Sequence, residues 1–280
     1  MFFLEQEIDA LITEDVPYFD LTTFMLEIGE KTGKMSFTTR KEIVVSCTEE
    51  AVRVLQKLGC TVSKILPSGA IAKKDEVILN ASGSARSLHV GWRVCLILLE
   101  YACGIATRTR NLVTKAKSVN QGVMIGTTRK TFPGGRKIAA KSVLAGGAFP
   151  HRLGLSETFL AFRQHLAFIG GMDGFLKKLE TFKHNLPEKK IVVEVDNLKD
   201  ATKLAETDVD GIQFDKFSVE ELTEAIKTVH FIKPTIKTLA AGGIDQGNIE
   251  AYARTKANVL VLSSAYFGKP ADIGVTIEPL

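Results

Sequence analysis

Five apolar segments of this chain each run out into residues of a kind that does chemistry. Val123–Gly126 leads into Thr127-Thr128-Arg129-Lys130-Thr131, and Ile191–Val195 carries Glu194 and is followed by Asp196. Gly211–Phe214 ends at Asp215, Ile236–Ala240 at Ala241-Gly242-Gly243, and Val259–Leu262 at Ser263-Ser264. Arg129 offers a planar fork and Lys130 a compact ammonium, the two cations that suit a carboxylate or a phosphate. Pro133-Gly134-Gly135-Arg136 continues that loop with residues small enough for a ligand to approach the backbone. Gly146-Gly147, followed by Pro150-His151-Arg152, forms a second loop of the same kind. Glu194 and Asp215 lie in apolar strands, where an unpaired carboxylate is costly. They are expected to meet the cations, sugar hydroxyls or a hard cation such as Mg²⁺, which takes oxygen ligands. Gly242-Gly243, read as the start of a helix, offers backbone N–H groups and a positive dipole end to a phosphate. No cysteine–histidine cluster has zinc spacing, and no Ser-His-Asp ordering stands out.

The elements that must hold these residues follow from periodicity. From about Val123 apolar strands alternate with amphipathic helices at Asp173–His184, Leu198–Ala205, Val219–Val229 and Asn248–Ala253, a pattern of parallel βαβ units with right-handed crossovers. In such folds the chemistry gathers at the carboxyl ends of the strands. A full eight-fold barrel takes about 250 residues, and the span from Val123 to Leu262 is much shorter. The expectation is a shortened or open barrel, with a doubly wound sheet as the alternative. The first hundred residues read as an α+β unit. A helix carries Leu4, Ile8, Leu11 and Ile12 on one face. Strands are expected at Met35–Thr39, Ile43–Cys47 and Val77–Leu79, and a helix capped by Thr48 stops near Gly59. A turn at Ser82-Gly83 leads to a long helix, about Arg86 to Cys103, apolar almost all round and expected to be buried between domains or subunits.

Composition excludes several classes. Of 280 residues 45% are hydrophobic and 24% charged, near globular averages, which argues against disordered, collagen-like or disulfide-scaffold chains. The apolar run Val94–Leu99 is bracketed by Arg93 and Glu100, so no membrane span is expected. The start of the chain turns acidic at Glu5 and does not read as a signal peptide. Cys47, Cys60, Cys95 and Cys103 form no C-x-x-C pair and are expected as reduced, buried thiols of a cytoplasmic protein. The net charge of +4 is uneven: Tyr101 to Ser156 holds no Asp or Glu but ten Lys or Arg. Such a segment points to an anionic ligand, either a small phosphorylated molecule or nucleic acid. Its Gly-rich loops and few aromatics favour the former.

Two long motifs, Thr128-Arg129-Lys130-Thr131-Phe132-Pro133-Gly134-Gly135-Arg136 and Ala145-Gly146-Gly147-Ala148-Phe149-Pro150-His151-Arg152-Leu153-Gly154-Leu155, resemble the paired signature of quinolinate phosphoribosyltransferases. Phe19-Asp20-Leu21-Thr22-Thr23, Cys103-Gly104-Ile105-Ala106-Thr107, Val193-Glu194-Val195-Asp196 and Ala241-Gly242-Gly243-Ile244 extend the resemblance over nearly the whole chain. It implies an α/β protein: an N-terminal α/β sandwich domain over residues 1–105, and an open α/β barrel with fewer than eight parallel strands over 106–267. The tail, 268–280, would return to the first domain. It also implies a pentosyltransferase in which a heterocyclic nitrogen displaces pyrophosphate from 5-phosphoribosyl diphosphate, with Mg²⁺. By resemblance Arg129, His151 and Arg152 would hold the carboxylated acceptor, helped by Arg93 from the partner subunit of a homodimer or larger assembly. Lys130 would bridge to the donor, Glu194 and Asp215 would face ribose and metal, and Gly242, Gly243 and Ser263 would cradle the 5-phosphate. Three positions depart from the family pattern: Phe162 stands where a lysine is usual, Leu239 where a glutamate is, and Thr127 where an aspartate is. With Leu155-Ser156-Glu157-Thr158 and Phe267-Gly268-Lys269-Pro270-Ala271-Asp272-Ile273 they resemble the ModD branch, associated with molybdate transport. The leading expectation is thus an acceptor other than, or besides, quinolinate. The alternative is a catalytically idle relative that binds an oxyanion or nucleotide in molybdenum handling.

Overall fold

The computed structural model describes residues 1–280, which divide into two compact units. The first comprises Met1–Arg110, Phe132–Gly147 and Tyr266–Leu280; the second comprises Asn111–Thr131 and Ala148–Ala265. Where the sequence suggested one cut at 105/106, contact density thus places residues 132–147 with the N-terminal unit as well.

In the first unit α1 (Glu5–Asp15) precedes β1 (Thr32–Thr39), α2 (Thr48–Lys57), β2 (Thr61–Ile65), β3 (Val77–Ser84), α3 (Ala85–Val119, whose residues from Asn111 on belong to the second unit) and α4 (Arg136–Ala145). β1 lies between β3 and the last strand of the chain, Ile273–Pro279, with β2 outside β3, all antiparallel. Alternation sorts the faces. Met35 and Phe37 are fully buried opposite Ala81 and Leu79, while Lys34 and Ser36 take the other face. Three expectations are corrected. Ser82-Gly83 is not a turn: both pair with β1 inside β3. Thr48 does not cap α2; Cys47 holds the cap position at φ 62°, and the Thr48 hydroxyl donates to the Leu66 carbonyl at 2.7 Å. Arg136, read as part of the glycine-rich loop, is instead the first residue of α4.

α3 is far longer than its apolar core predicts, because Arg and Lys are good helix formers and no Pro or Gly interrupts Ile105–Val119. By length and composition it could cross a membrane, but Leu88, Cys95, Leu99, Ala102, Cys103 and Ala106 are fully buried in the fold. Gly91 lets α2 pack close, since a Cβ there would lie 2.6 Å from a Leu55 methyl. All four cysteines are buried and unpaired.

The second unit holds the parallel sheet. Its strands are β4 (Met124–Thr127), β5 (Phe149–Pro150), β6 (Phe159–Ala161), β7 (Ile191–Val195), β8 (Gly211–Asp215), β9 (Lys237–Ala241) and β10 (Val259–Leu262). They run in the order β5-β4-β10-β9-β8-β7-β6, seven strands with β5 and β6 as unpaired edges. This is the open α/β barrel with fewer than eight strands. The helices α5 (Gly171–Asn185), α6 (Leu198–Ala205), α7 (Val219–Ile232) and α8 (Ile249–Arg254) connect them. Ser218 and Glu221 form a capping box at the start of α7, and Asn197 caps α6, so the local sequence sets where each strand's outgoing loop ends.

Candidate active site

Register brings the predicted residues together. Glu194 pairs with Gln213, Gln213 with Leu239, Leu239 with Val259 and Val259 with Met124, which makes one level across the sheet. One level higher, Asp215, Ala241, Val261, Gly126 and Phe149 are in register. Partners in parallel strands share a face, and so do residues two apart. Glu194, Gln213 and Asp215 therefore line the same face as Leu160, Val192, Leu239 and Val261, which pack as an apolar cluster with Phe162, Ala241 and Val259. A Cβ on Gly126 would meet Val259 at 3.3 Å and His151 at 3.4 Å, which puts His151 over that face too. The lower levels are an apolar plug; the carboxyl ends are polar. Thr127 is fully buried and has the opposite strand parity, so its departure from the family pattern does not touch these levels.

Within this layout electrostatics reports proximity. Burial pushes the Glu194 carboxyl upward, the nearby Asp215 and Asp196 add to the rise, and Gln213 and Lys130 oppose it. The Gln213 amide donates to Glu194 Oε2 at 2.6 Å, while its own Oε1 is buried without a partner. Sequence reasoning passed over Gln213; a buried amide in the middle of an apolar strand was the signal available. Burial, with the adjacent Arg152, pulls His151 below its ordinary value, so it presents a neutral ring at pH 7. Arg152 is itself pulled down by burial and by repulsion from Arg129, and its guanidinium lies over the Phe162 ring, 5.7 Å from the centroid. That contact spans from the end of β5 to the end of β6, the two unpaired edges of the sheet. Lys130, Arg129 and Arg152 make no ion pair within 4 Å.

The phosphate loop differs from expectation in one respect. Gly242 and Gly243 have φ of 90° and 72°, conformations that free their N–H groups for an anion. Yet α8 begins only at Ile249 and has six residues, so no helix dipole opens at the glycines. A Cβ on Gly242 would lie 2.9 Å from Asp215 Oδ1, so this carboxylate packs against the bare backbone. Ser263 is half-buried at the end of β10. Arg93 and the Pro133–Arg136 segment belong to the first unit, where Arg93 is exposed with its guanidinium 4.8 Å from the Trp92 centroid. Of the ten cations in the acid-free segment, Lys137 and Lys141 pair with Glu7, Glu49 and Glu50, and Arg108, Arg110 and Lys115 donate to backbone carbonyls.

A parallel open barrel whose strand ends gather cations, two acids and a glycine turn suits a ligand that carries phosphate. The comparisons with known proteins agree. Residues 20–103 match the model of the quinolinate phosphoribosyl transferase N-terminal domain, and 105–275 that of its C-terminal domain. The chain belongs to the quinolinate phosphoribosyltransferase family, which makes it an enzyme of the pyrophosphorylase type, a pentosyltransferase. It is 32% identical over 278 residues to the "Putative pyrophosphorylase ModD" of Pasteurella multocida, covering 99% of each chain. It is 28% identical over 279 residues to the "Probable nicotinate-nucleotide pyrophosphorylase [carboxylating]" of Methanothermobacter thermautotrophicus, covering 98% of each. Among solved structures, that of a NadC deletion mutant superposes with a TM-score of 0.90 at 25% identity, covering 99% of this chain and 97% of that one.

Proposed function

We infer that this chain transfers the phosphoribosyl group of 5-phosphoribosyl diphosphate to the ring nitrogen of a heterocyclic carboxylic acid, quinolinate or a relative of it. The observation that carries this reading is the register itself: Glu194 and Asp215 share a face whose upper rim holds His151, Ser263 and the Gly242-Gly243 turn. The nitrogen lone pair forms the new bond to the anomeric carbon, and the carbon–oxygen bond breaks with its electrons leaving on diphosphate. The sugar is cationic at that point, so the Glu194 and Asp215 carboxylates stabilise it, and cations stabilise the departing diphosphate. Lys130 serves the diphosphate; Arg129, Arg152 and neutral His151 take the acceptor's carboxylate; Gly242, Gly243 and Ser263 take the 5-phosphate.

Magnesium fits this arrangement only together with substrate. No group of three or more His, Cys, Asp or Glu side chains converges on one point. Glu194 and Asp215 are two carboxylates, the number with which Mg²⁺ is commonly held beside substrate phosphates and water. Bound there, the ion would neutralise charge on the donor. We also assign the chain to the cytoplasm as a homodimer or larger assembly, with Arg93 of one subunit completing the acceptor site of another. The test is pyrophosphate release on mixing the protein with the donor, Mg²⁺ and a panel of heterocyclic acids. Release with at least one acid supports the reading; none with any acid, alongside intact donor binding, leaves the idle relative. Arg93→Ala mixed with Lys130→Ala should partly regain activity that neither has alone.

A further inference from the structure

Gly242, Gly243 and Ser263 offer a phosphate neutral donors only. No helix dipole opens at the two glycines, and the Asp215 carboxylate beside Gly242 repels an anion. The cation placed to offset this is Lys216. It directly follows β8, and its N–H donates to the Ala241 carbonyl at 2.8 Å, one bond past the last paired residues of β8 and β9. Its stem runs along the next residue of β9's outgoing loop: a Cβ on Gly242 would lie 2.6 Å from Lys216 Cγ. Gly243 faces open space, with no heavy atom within 4 Å of where its Cβ would be. Lys203 and Lys233 of the same unit are held by Asp173 and Asp208, whereas the exposed Lys216 makes no ion pair within 4 Å. Lys115, which also reaches this loop, donates to the Gln246 carbonyl at 3.0 Å.

The backbone at Lys216 supplies a second, independent observation. Five non-glycine residues have positive φ. Glu27 and Lys256 lie just past helix ends, Asp75 is in a turn and Cys47 precedes α2; Lys216, at 59°, alone follows a strand. Its conformation is fixed from both sides. Asp215 before it is in register with Ala241, and Phe217 after it is buried edge-on against Phe214, its carbonyl accepting the Tyr252 hydroxyl at 2.9 Å. Left-handed backbone disfavours a residue with a Cβ, and Gly or Asn would hold this turn with less strain. Such strain clusters at ligand clamps, where the side chain is used.

We propose that Lys216 binds the 5-phosphate seated on the Gly242-Gly243 turn and makes the site select sugar phosphates over free sugars. This rests on the phosphoribosyl-transfer reading and adds the residue that answers the phosphate's charge. A compact ammonium on a flexible stem suits a phosphate as a point charge.

Calorimetry on the full chain, without acceptor, tests this with ribose 5-phosphate, ribose, 5-phosphoribosyl diphosphate and inorganic pyrophosphate, the last two with Mg²⁺. Wild type should bind ribose 5-phosphate more tightly than ribose. Lys216→Met, which keeps the stem and removes the charge, should weaken ribose 5-phosphate and 5-phosphoribosyl diphosphate by the same factor, at least about tenfold or about 1.4 kcal/mol. Its affinity for pyrophosphate should not change. Lys216→Arg should retain most of the affinity. Lys216→Asn, which suits the left-handed backbone, should lose it with no fall in Tm. An unchanged affinity for ribose 5-phosphate in Lys216→Met, a loss that extends equally to pyrophosphate, or no wild-type preference over ribose overturns the proposal and leaves phosphoribosyl transfer standing. A wild type that binds neither ribose 5-phosphate nor 5-phosphoribosyl diphosphate overturns both.

Discussion

The same acid-free, lysine- and arginine-rich stretch ends up doing two different things in the two units. In the first, Lys141 is 13% exposed and gripped by Glu49 and by Glu50, whose side chain is 5% exposed; Lys137 bonds Glu7 at 2.6 Å. In the second, Arg129, Lys130 and Arg152 stand at strand ends with no carboxylate within ion-pair distance. A buried cation matched by internal acids belongs to the fold. A cation left unmatched beside two half-buried acids and a bare glycine turn is available to a ligand. Sequence alone counts both kinds alike, which is why the charge bias overstates the anion site.

The contrast can be broken by substitution, and the largest effect is expected in the second unit. Arg129→Ala and Lys130→Ala should each lower kcat/KM by at least about a hundredfold, the scale of losing one preorganised charged donor. Unfolding free energy should move by no more than about 0.5 kcal/mol. A wild-type rate, or a collapse in stability, would erase the distinction. Lys141→Ala should do the reverse: a loss of about 3 kcal/mol in chemical denaturation, because Glu50 is left buried without its partner, with donor affinity unchanged in the folded fraction.

Gln213→Leu sharpens the comparison further. The amide favours the charged form of Glu194, so its removal raises that carboxyl's pKa, and the acid limb of the pH–kcat/KM profile must move to higher pH. A rate loss of about tenfold with an unmoved limb would mean that Gln213 only packs. The smallest effect is in the first unit. Burial pushes Glu49 up, but Lys141 and the Ser68 hydroxyl and N–H outweigh it and hold the carboxyl at about 2. A folded pKa below the unfolded value of about 4.3 contributes stability that is full above that pH and lost as pH falls towards 2. Glu49→Gln should flatten the fall in Tm over that window.

The barrel was legible because buried parallel strands and capped helices leave strong period and punctuation signals: Leu198–Ala205 and Ile191–Val195 have the predicted bounds. β5 was not, since a two-residue strand has no period, and α4 was hidden behind glycine-rich loops that look irregular at both ends. α3 outran its apolar stretch because its last turns are helical by propensity rather than by burial. In the site, strand-end polarity brought Glu194, Asp215, His151 and Ser263 to one face. The roles of Gln213 and of the Arg152–Phe162 contact depend on register and on which edges of the sheet approach, and neither is written in local spacing.

The most direct measurement is a crystal structure of the protein with 5-phosphoribosyl diphosphate. The account predicts one molecule at the carboxyl ends of β4, β7, β8, β9 and β10, its ribose hydroxyls at Glu194 and Asp215, its diphosphate at Lys130 and its 5-phosphate on the Gly242-Gly243 amides. Density for the donor anywhere else, or contact with only one of these groups, would contradict it.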